Sequence, residues 1–170
     1  MPQFKLNASE FEWITGLQDD PEDLCLHGKV TVIIGSETIE TACTVSAAAL
    51  YLLKSLSEDR DFGQDNQLFP CCGHFLIPNA DLSAVTIIGC DTGADLKITH
   101  ESGTVRIVTE SGRETAVPYG KYRAEVLAFA DQVKAFYDSC SPKKVPEDEF
   151  RRNGYIAFWN EWERRRKAGE

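Results

Sequence analysis

The sequence has no long apolar run. Nowhere do about 18 consecutive apolar residues occur, the length needed to span a bilayer, so a membrane-spanning helix is excluded. The first residues, MPQFKLNASEFEW, lack a basic stretch followed by an apolar one, so no secretory leader is read there. The expected location is therefore the cytoplasm. Positive charge is in deficit: 18 Lys and Arg stand against 27 Asp and Glu, a net charge of −9. Such a surface repels phosphate backbones and anionic lipids, which argues against nucleic acid and membrane surfaces as partners. No internal repeat or low-complexity tract is present.

Complete catalytic signatures are missing as well. Asp61-Phe62-Gly63 spells D-F-G, but no glycine-rich phosphate loop and no H-R-D element accompany it. The block Gly89 to Asp95, GCDTGAD, could offer glycines and carboxylates to a phosphate or a hard cation. It lacks the Walker lysine, the EF-hand spacing and the GxGxxG pattern, and a two-glycine turn accounts for it better.

The 170 residues are enough for one domain with a real core, and a single domain over 1–170 is expected. Lys29 to Ile34 reads as a buried strand, with Glu37 to Thr41 returning as its hairpin partner. Glu10 to Thr15 alternates like a short strand. A helix is expected from Val45 to Leu56, with Thr44 as N-cap and one apolar face formed by Val45, Ala49, Leu52, Leu53 and Leu56. Leu68 to Pro78 is apolar, bracketed by prolines, and reads as an irregular or edge segment. Val85 to Gly89, Leu96 to His100, Val105 to Glu110 and Thr115 to Val117 follow as strands of an antiparallel meander. A second helix spans Lys121 to Cys140, with an apolar stripe from Tyr122 to Tyr137. The last helix starts with Pro146 at its first position, and Gly154 is expected to interrupt it. The fold class is thus α+β: a mainly antiparallel sheet of about six to eight strands, a central helix and two C-terminal helices.

Six cysteines are present. Without a leader, reduced and mostly buried thiols are the expectation. Cys25 and His27, with Cys71, Cys72 and His74, form the one constellation with soft metal ligands, and zinc is the metal they would take. Their spacing matches no standard finger or ribbon, and a core segment with a hydrogen-bonded histidine is the weightier reading, so no cofactor is expected. A nucleophile, base and orienter could be drawn from Cys72 or Cys90, His74 or His100, and Asp91 or Asp95. That gives the alternative of a small hydrolase or metal-dependent enzyme centred on Cys71, Cys72, His74 and Asp91.

Two loops gather acid. Asp19, Asp20, Glu22 and Asp23 form one group, and Glu58, Asp59, Asp61 and Asp65 the other. Brought together, they would steer a basic partner. Trp159 and Trp162, in the run YIAFWNEW, could anchor such a partner, although a terminal helix more often docks such a stripe on its own sheet. The HGKVTVIIG strand, the TVSAAALYLLKSL helix, the LFPCCG segment and the closing FWNEW helix together resemble the small immunity proteins of bacterial polymorphic or contact-dependent toxin systems. That resemblance implies a non-catalytic protein that neutralises a cognate toxin domain by occluding it. A homo-oligomeric scaffold or interaction protein is the remaining alternative.

Overall fold

A computed structural model of the chain describes residues 4–73 and 75–169. The chain opens with strand β1 (Phe4–Glu12), β2 (His27–Ile34) and β3 (Glu37–Cys43), a three-stranded antiparallel sheet in that order. Helix α1 (Val45–Lys54) follows, then β4 (Phe69–Pro70), β5 (Phe75–Pro78), β6 (Val85–Ile88) and β7 (Gly93–Ala94). A second meander, β8 (Leu96–Glu101), β9 (Thr104–Thr109) and β10 (Glu114–Pro118), leads into helices α2 (Tyr119–Ser139) and α3 (Glu149–Ala168).

The α+β class, the central helix and the two C-terminal helices are as the sequence indicated, but one sheet of six to eight strands is not what forms. The strands divide into four small antiparallel sheets: two of three strands, plus the pairs β4-β7 and β5-β6. The short strands explain the division. Pro70 and Pro78 end β4 and β5, where no further ladder donor is available, and the polar loops 57–67 and 79–84 carry the chain away between pairings.

Helix α1 is the centre of the core. Every residue from Val45 to Leu53 is buried, so the helix is enclosed on all sides and not only along the one face expected from its spacing. A helix apolar all round is stable only when it is surrounded. Each of Leu50, Leu52 and Leu53 then contributes roughly 1.5–3 kcal/mol by burial. One continuous apolar cluster joins α1 to Phe4 and Val32 of the first sheet, Ile98 and Ile107 of the second, Phe129 of α2 and Trp162 of α3. Thr44 takes the N-cap position, but its hydroxyl makes no capping bond; its N–H donates to Pro70 O at 2.9 Å.

The stripe expected on α2 is buried at Tyr122, Val126, Phe129, Ala130, Val133 and Tyr137. This helix also covers the open edge of β1. Gln132 Oε1 accepts from Ala8 N at 3.1 Å and its Nε2 donates to Ala8 O at 2.7 Å, which satisfies backbone groups that an edge strand leaves bare. Phe11 stacks on Phe136, ring centroids 4.7 Å apart.

Helix α3 departs from expectation in two ways. It starts at Glu149 and not at Pro146, because the Asp148 carboxylate caps it, accepting from Arg151 N at 2.8 Å. Nor does Gly154 interrupt it. A Cβ there would sit 2.3 Å from Leu76 O, so the glycine is the point where α3 lies directly on the backbone of β5.

Two buried carboxylates hold the loops to this frame. Asp95, on the step into β8, accepts from Leu68 N and Leu96 N, both at 2.9 Å, and from Gly63 N at 2.7 Å, and pairs with the buried Arg60 at 3.3 Å. Glu161 of α3 accepts from Val85 N at 2.8 Å and faces Lys54 at 3.6 Å and Arg165 at 3.3 Å. Charges this deep persist only when paired and hydrogen-bonded, as these are.

Candidate functional site

Loop residues 13–25 bring the first acidic group to the surface, and nearly all of its carboxylates are used at once. Asp23 accepts from Ile14 N at 2.7 Å and Cys25 N at 3.0 Å. Asp20 accepts from Glu22 N and from the Thr15 hydroxyl, both at 3.0 Å. Asp19 accepts from Ser141 N at 3.0 Å, and Glu22 pairs with Lys144 at 3.0 Å. Hydrogen bonds to the ionised form hold the Asp19 and Asp20 carboxyls below their ordinary range: Ser141 is the chief cause for Asp19, the Glu22 N–H for Asp20. Lys143 folds beneath this loop. Its ammonium lies 3.1 Å from the Trp13 ring centroid and donates to Asp20 O at 2.7 Å.

The second acidic group does not join the first. The first loop leads to Leu26, which meets Ser46 in the opening turn of α1 at 3.1 Å; the second follows the last turn of the same helix. They therefore occupy opposite ends of α1. Among the described residues, no ion pair or hydrogen bond links them. Asp59 accepts from His100 N and faces His100 Nδ1, both at 2.8 Å. The His100 N–H is the main reason its carboxyl lies below the usual range. Asp61 pairs with Lys97 at 3.1 Å, and Glu58 pairs with Arg165. Asp65 takes a positive φ of 61°, and its carbonyl accepts from Tyr51 Oη at 3.2 Å.

The tryptophans face inward. Trp162 is 2% exposed and belongs to the core, and Trp159 is half-buried against Tyr137, centroids 4.8 Å apart, beneath the Lys134 ammonium. An anchor on the surface must come from elsewhere, and the structure supplies one. Ile14, Phe75 and Phe150 line a groove of about 190 Å³ together with Glu22, Asp23 and Arg151. They are 68%, 54% and 45% exposed. Ile88 stands opposite Phe75 in the β5-β6 ladder and is also exposed, and Leu17 continues the turn that carries Ile14. Directly opposed residues of a ladder share a face, so the patch runs from the first loop across the hairpin to the start of α3. The rings of Phe75 and Phe150 are 5.9 Å apart. Sequence reading missed these residues because they lie far apart along the chain.

The cysteine constellation is rearranged. Cys25 is buried in the loop before β2, where desolvation pushes its thiol upward. Cys43, at the end of β3, is pushed up to about 12 for the same reason. Cys72 instead meets Cys90, whose N–H donates to Cys72 Sγ at 3.0 Å, and the neighbouring Cys90 thiol pushes the thiols of Cys71 and Cys72 upward. The Cys90 thiol is drawn down to about 7, chiefly by the Cys72 thiol and then by the Thr92 N–H. His74 lies outside the described residues. Among the described residues, no group of three or more His, Cys, Asp or Glu side chains is arranged to hold a metal ion.

For the catalytic alternative, His100 is held by Asp59, no hydrogen bond links it to a cysteine, and the Asp95 carboxylate is filled by backbone donors and Arg60. The backbone of Asp91 accepts from Gln67 Nε2 at 3.3 Å. None of the described residues of the expected triad are therefore brought into a nucleophile, base and orienter arrangement.

No helix is long and apolar enough to cross a membrane among the described residues. Compared with known proteins, the chain matches no family model, no curated sequence and no solved structure.

Proposed function

We propose that this chain is a non-catalytic binding protein of the immunity kind, which captures a basic protein domain, such as a toxin domain, and neutralises it by occlusion. The observation that carries this reading is the gathering of Ile14, Phe75, Ile88 and Phe150 on one exposed face. Single exposed apolar side chains need no explanation, whereas a contiguous patch rimmed by polar groups marks an interaction site. Beside it stand the carboxylates of Asp19, Asp20, Glu22 and Asp23, which outnumber the nearby Lys143, Lys144 and Arg151. With the net charge of −9, they favour a cationic partner and speed its approach. Two adjacent aromatic rings over a groove are the usual form of an anchor.

The test is co-expression with the product of the adjacent reading frame, scored by growth and by calorimetry on the purified pair. Wild type is expected to restore growth and to bind one to one. Phe75→Asp and Phe150→Asp should each weaken binding roughly 30-fold or more, the consequence of losing an anchor worth about 2 kcal/mol. Phe62→Asp, at an exposed ring on the second acidic loop, should leave binding unchanged. Absence of binding to that product, or equal loss from all three variants, would overturn the reading. Self-association abolished by Phe75→Asp, with no heterologous partner, would replace it with a homo-oligomeric scaffold.

A further inference from the structure

The three thiols around the open end of the β5-β6 hairpin are placed by backbone, not by chance contact of mobile side chains. Cys71 N donates to Thr92 O at 2.8 Å. Gly89 lies so close to Cys72 that a Cβ there would fall 1.7 Å from Cys72 O and 3.2 Å from Gly73 Cα. Only glycine allows the chain after β6 to lie flat on the chain before β5, and this close approach sets Cys90 beside Cys72. The bond from Cys90 N to Cys72 Sγ, 3.0 Å long, puts the Cys72 sulfur within reach of the Cys90 side chain. Cys71 is exposed, and Cys72 and Cys90 are half-buried, so small reagents have access. Cys25 and Cys43, by contrast, are closed off in the core. The charged group nearest in sequence is Asp91, whose backbone is held by Gln67.

We infer that Cys90 and Cys72 form a reversible redox modification site: Cys90 reacts with hydroperoxides and Cys72 resolves the product into an intramolecular disulfide. In the first step the Cys90 thiolate attacks one peroxide oxygen. The O–O bond breaks, two electrons pass from sulfur to oxygen, hydroxide or alkoxide leaves, and Cys90 becomes a sulfenic acid. In the second step the Cys72 sulfur attacks the sulfenic sulfur. The S–O bond breaks, water leaves with the Cys72 proton, and the S–S bond forms. A dithiol reductant reverses the reaction by exchange and is itself oxidised to its disulfide. The depressed thiol of Cys90 supplies the thiolate that the first step needs near neutral pH. Cys71, next to Cys72 in the chain, is poorly directed to bridge its neighbour.

The experiment uses the reduced 170-residue chain and stoichiometric hydrogen peroxide. Free thiols should fall from six to four, with an intact mass lower by two hydrogens and no dimer. Cleavage before Asp81 and Asp91 separates the peptide holding Cys71 and Cys72 from the one holding Cys90, and the two should remain linked until reduced. Cys71→Ser should keep the link. Cys72→Ser should lose it and should accumulate a Cys90 sulfenic acid that dimedone labels. Circular dichroism confirms that both variants are folded. Retention of all six thiols, a link of undiminished yield in Cys72→Ser, or oxidation of Cys140 as fast as of Cys90 would each overturn the assignment.

Discussion

Replacing Gly154 by alanine tests the close approach of α3 to β5, and its sign is not the one that helix propensity gives. In an isolated helix interior the change would stabilise by about 1 kcal/mol. Here the new methyl group would stand 2.3 Å from Leu76 O and 3.0 Å from Leu76 Cβ. A comfortable carbon-to-oxygen contact is about 3.3 Å, so α3 and β5 must part by roughly 1 Å. The obstacle is backbone, which cannot swing aside as a side chain can. Overpacking of this kind costs about 1–3 kcal/mol, and a backbone obstacle belongs at the upper end. The net expectation is destabilisation by about 1–2 kcal/mol, or a fall in Tm of roughly 2–8 °C for a chain of this size. Gly120 of α2 is the control: a Cβ there meets nothing within 4 Å, so Gly120→Ala should be neutral or stabilising by up to about 1 kcal/mol. Urea titration followed by circular dichroism reads both, with an unchanged m-value showing that stability alone has moved. A Gly154→Ala protein as stable as Gly120→Ala would refute the packing of α3 on β5.

Removal of the Asp95 carboxylate in Asp95→Ala should cost about 3–5 kcal/mol, since it strands the buried Arg60 and frees the N–H groups of Gly63, Leu68 and Leu96 together; equilibrium unfolding measures it, and a loss below about 1 kcal/mol would contradict the bonding described. Acid should also weaken the fold in a defined window. Folded-state carboxyls below their unfolded values, as at Asp19, Asp20, Asp59 and Asp61, contribute stability that is fully present above about pH 4 to 5 and lost as pH falls through the folded values. Urea midpoints should therefore be level from pH 5 to 7 and decline below about pH 4, less steeply for Asp59→Asn than for wild type; a midpoint that rises on acidification would reverse the sign.

Periodicity made the helices legible. The stripe of α2 reads correctly because Tyr122, Val126, Phe129, Val133 and Tyr137 recur at helical spacing and each meets the core. For α1 the same signal located the helix but understated its burial, because Ser46 and Tyr51 look polar in sequence. Both are satisfied internally: Ser46 Oγ accepts from Leu26 N, and Tyr51 Oη donates to backbone carbonyls. Most strand positions were also legible, since the alternation of TVRIVT in β9 matches its buried and half-buried pattern, but the first was not: the strand expected from Glu10 to Thr15 lies at Phe4–Glu12, and a turn follows it. How strands group into sheets was not, because that depends on contacts distant in sequence and on where loops leave the ladder. The bulge in β1 carries no local mark either. Glu10 takes a φ of 51° there, in a residue with no special liking for it. The candidate site was legible only in its acid. Its apolar members come from the 13–17 turn, β5, β6 and the start of α3, and an exposed phenylalanine is not distinguishable in sequence from a buried one.

The exposed face and the α3-β5 contact are two sides of one hairpin. A two-stranded hairpin is marginal on its own, so β5-β6 depends on what covers it. Leu76 and Ile87 are buried, with α3 laid on the Leu76 backbone at Gly154 and Glu161 holding the N–H of Val85. On the opposite face Phe75 and Ile88 stay exposed, with the ring of Phe150 beside that of Phe75. A hydrophobic pair on a strand element stays uncovered without penalty to the fold when the other face supplies the anchoring. This arrangement frees the outer face for a partner. It also means that surface variants such as Phe75→Asp leave the anchoring of the hairpin in place, whereas Gly154→Ala disturbs the hairpin from its buried side and displaces Phe75 relative to Phe150. Binding loss with stability retained in the first case, and loss of both in the second, is the pattern this geometry requires.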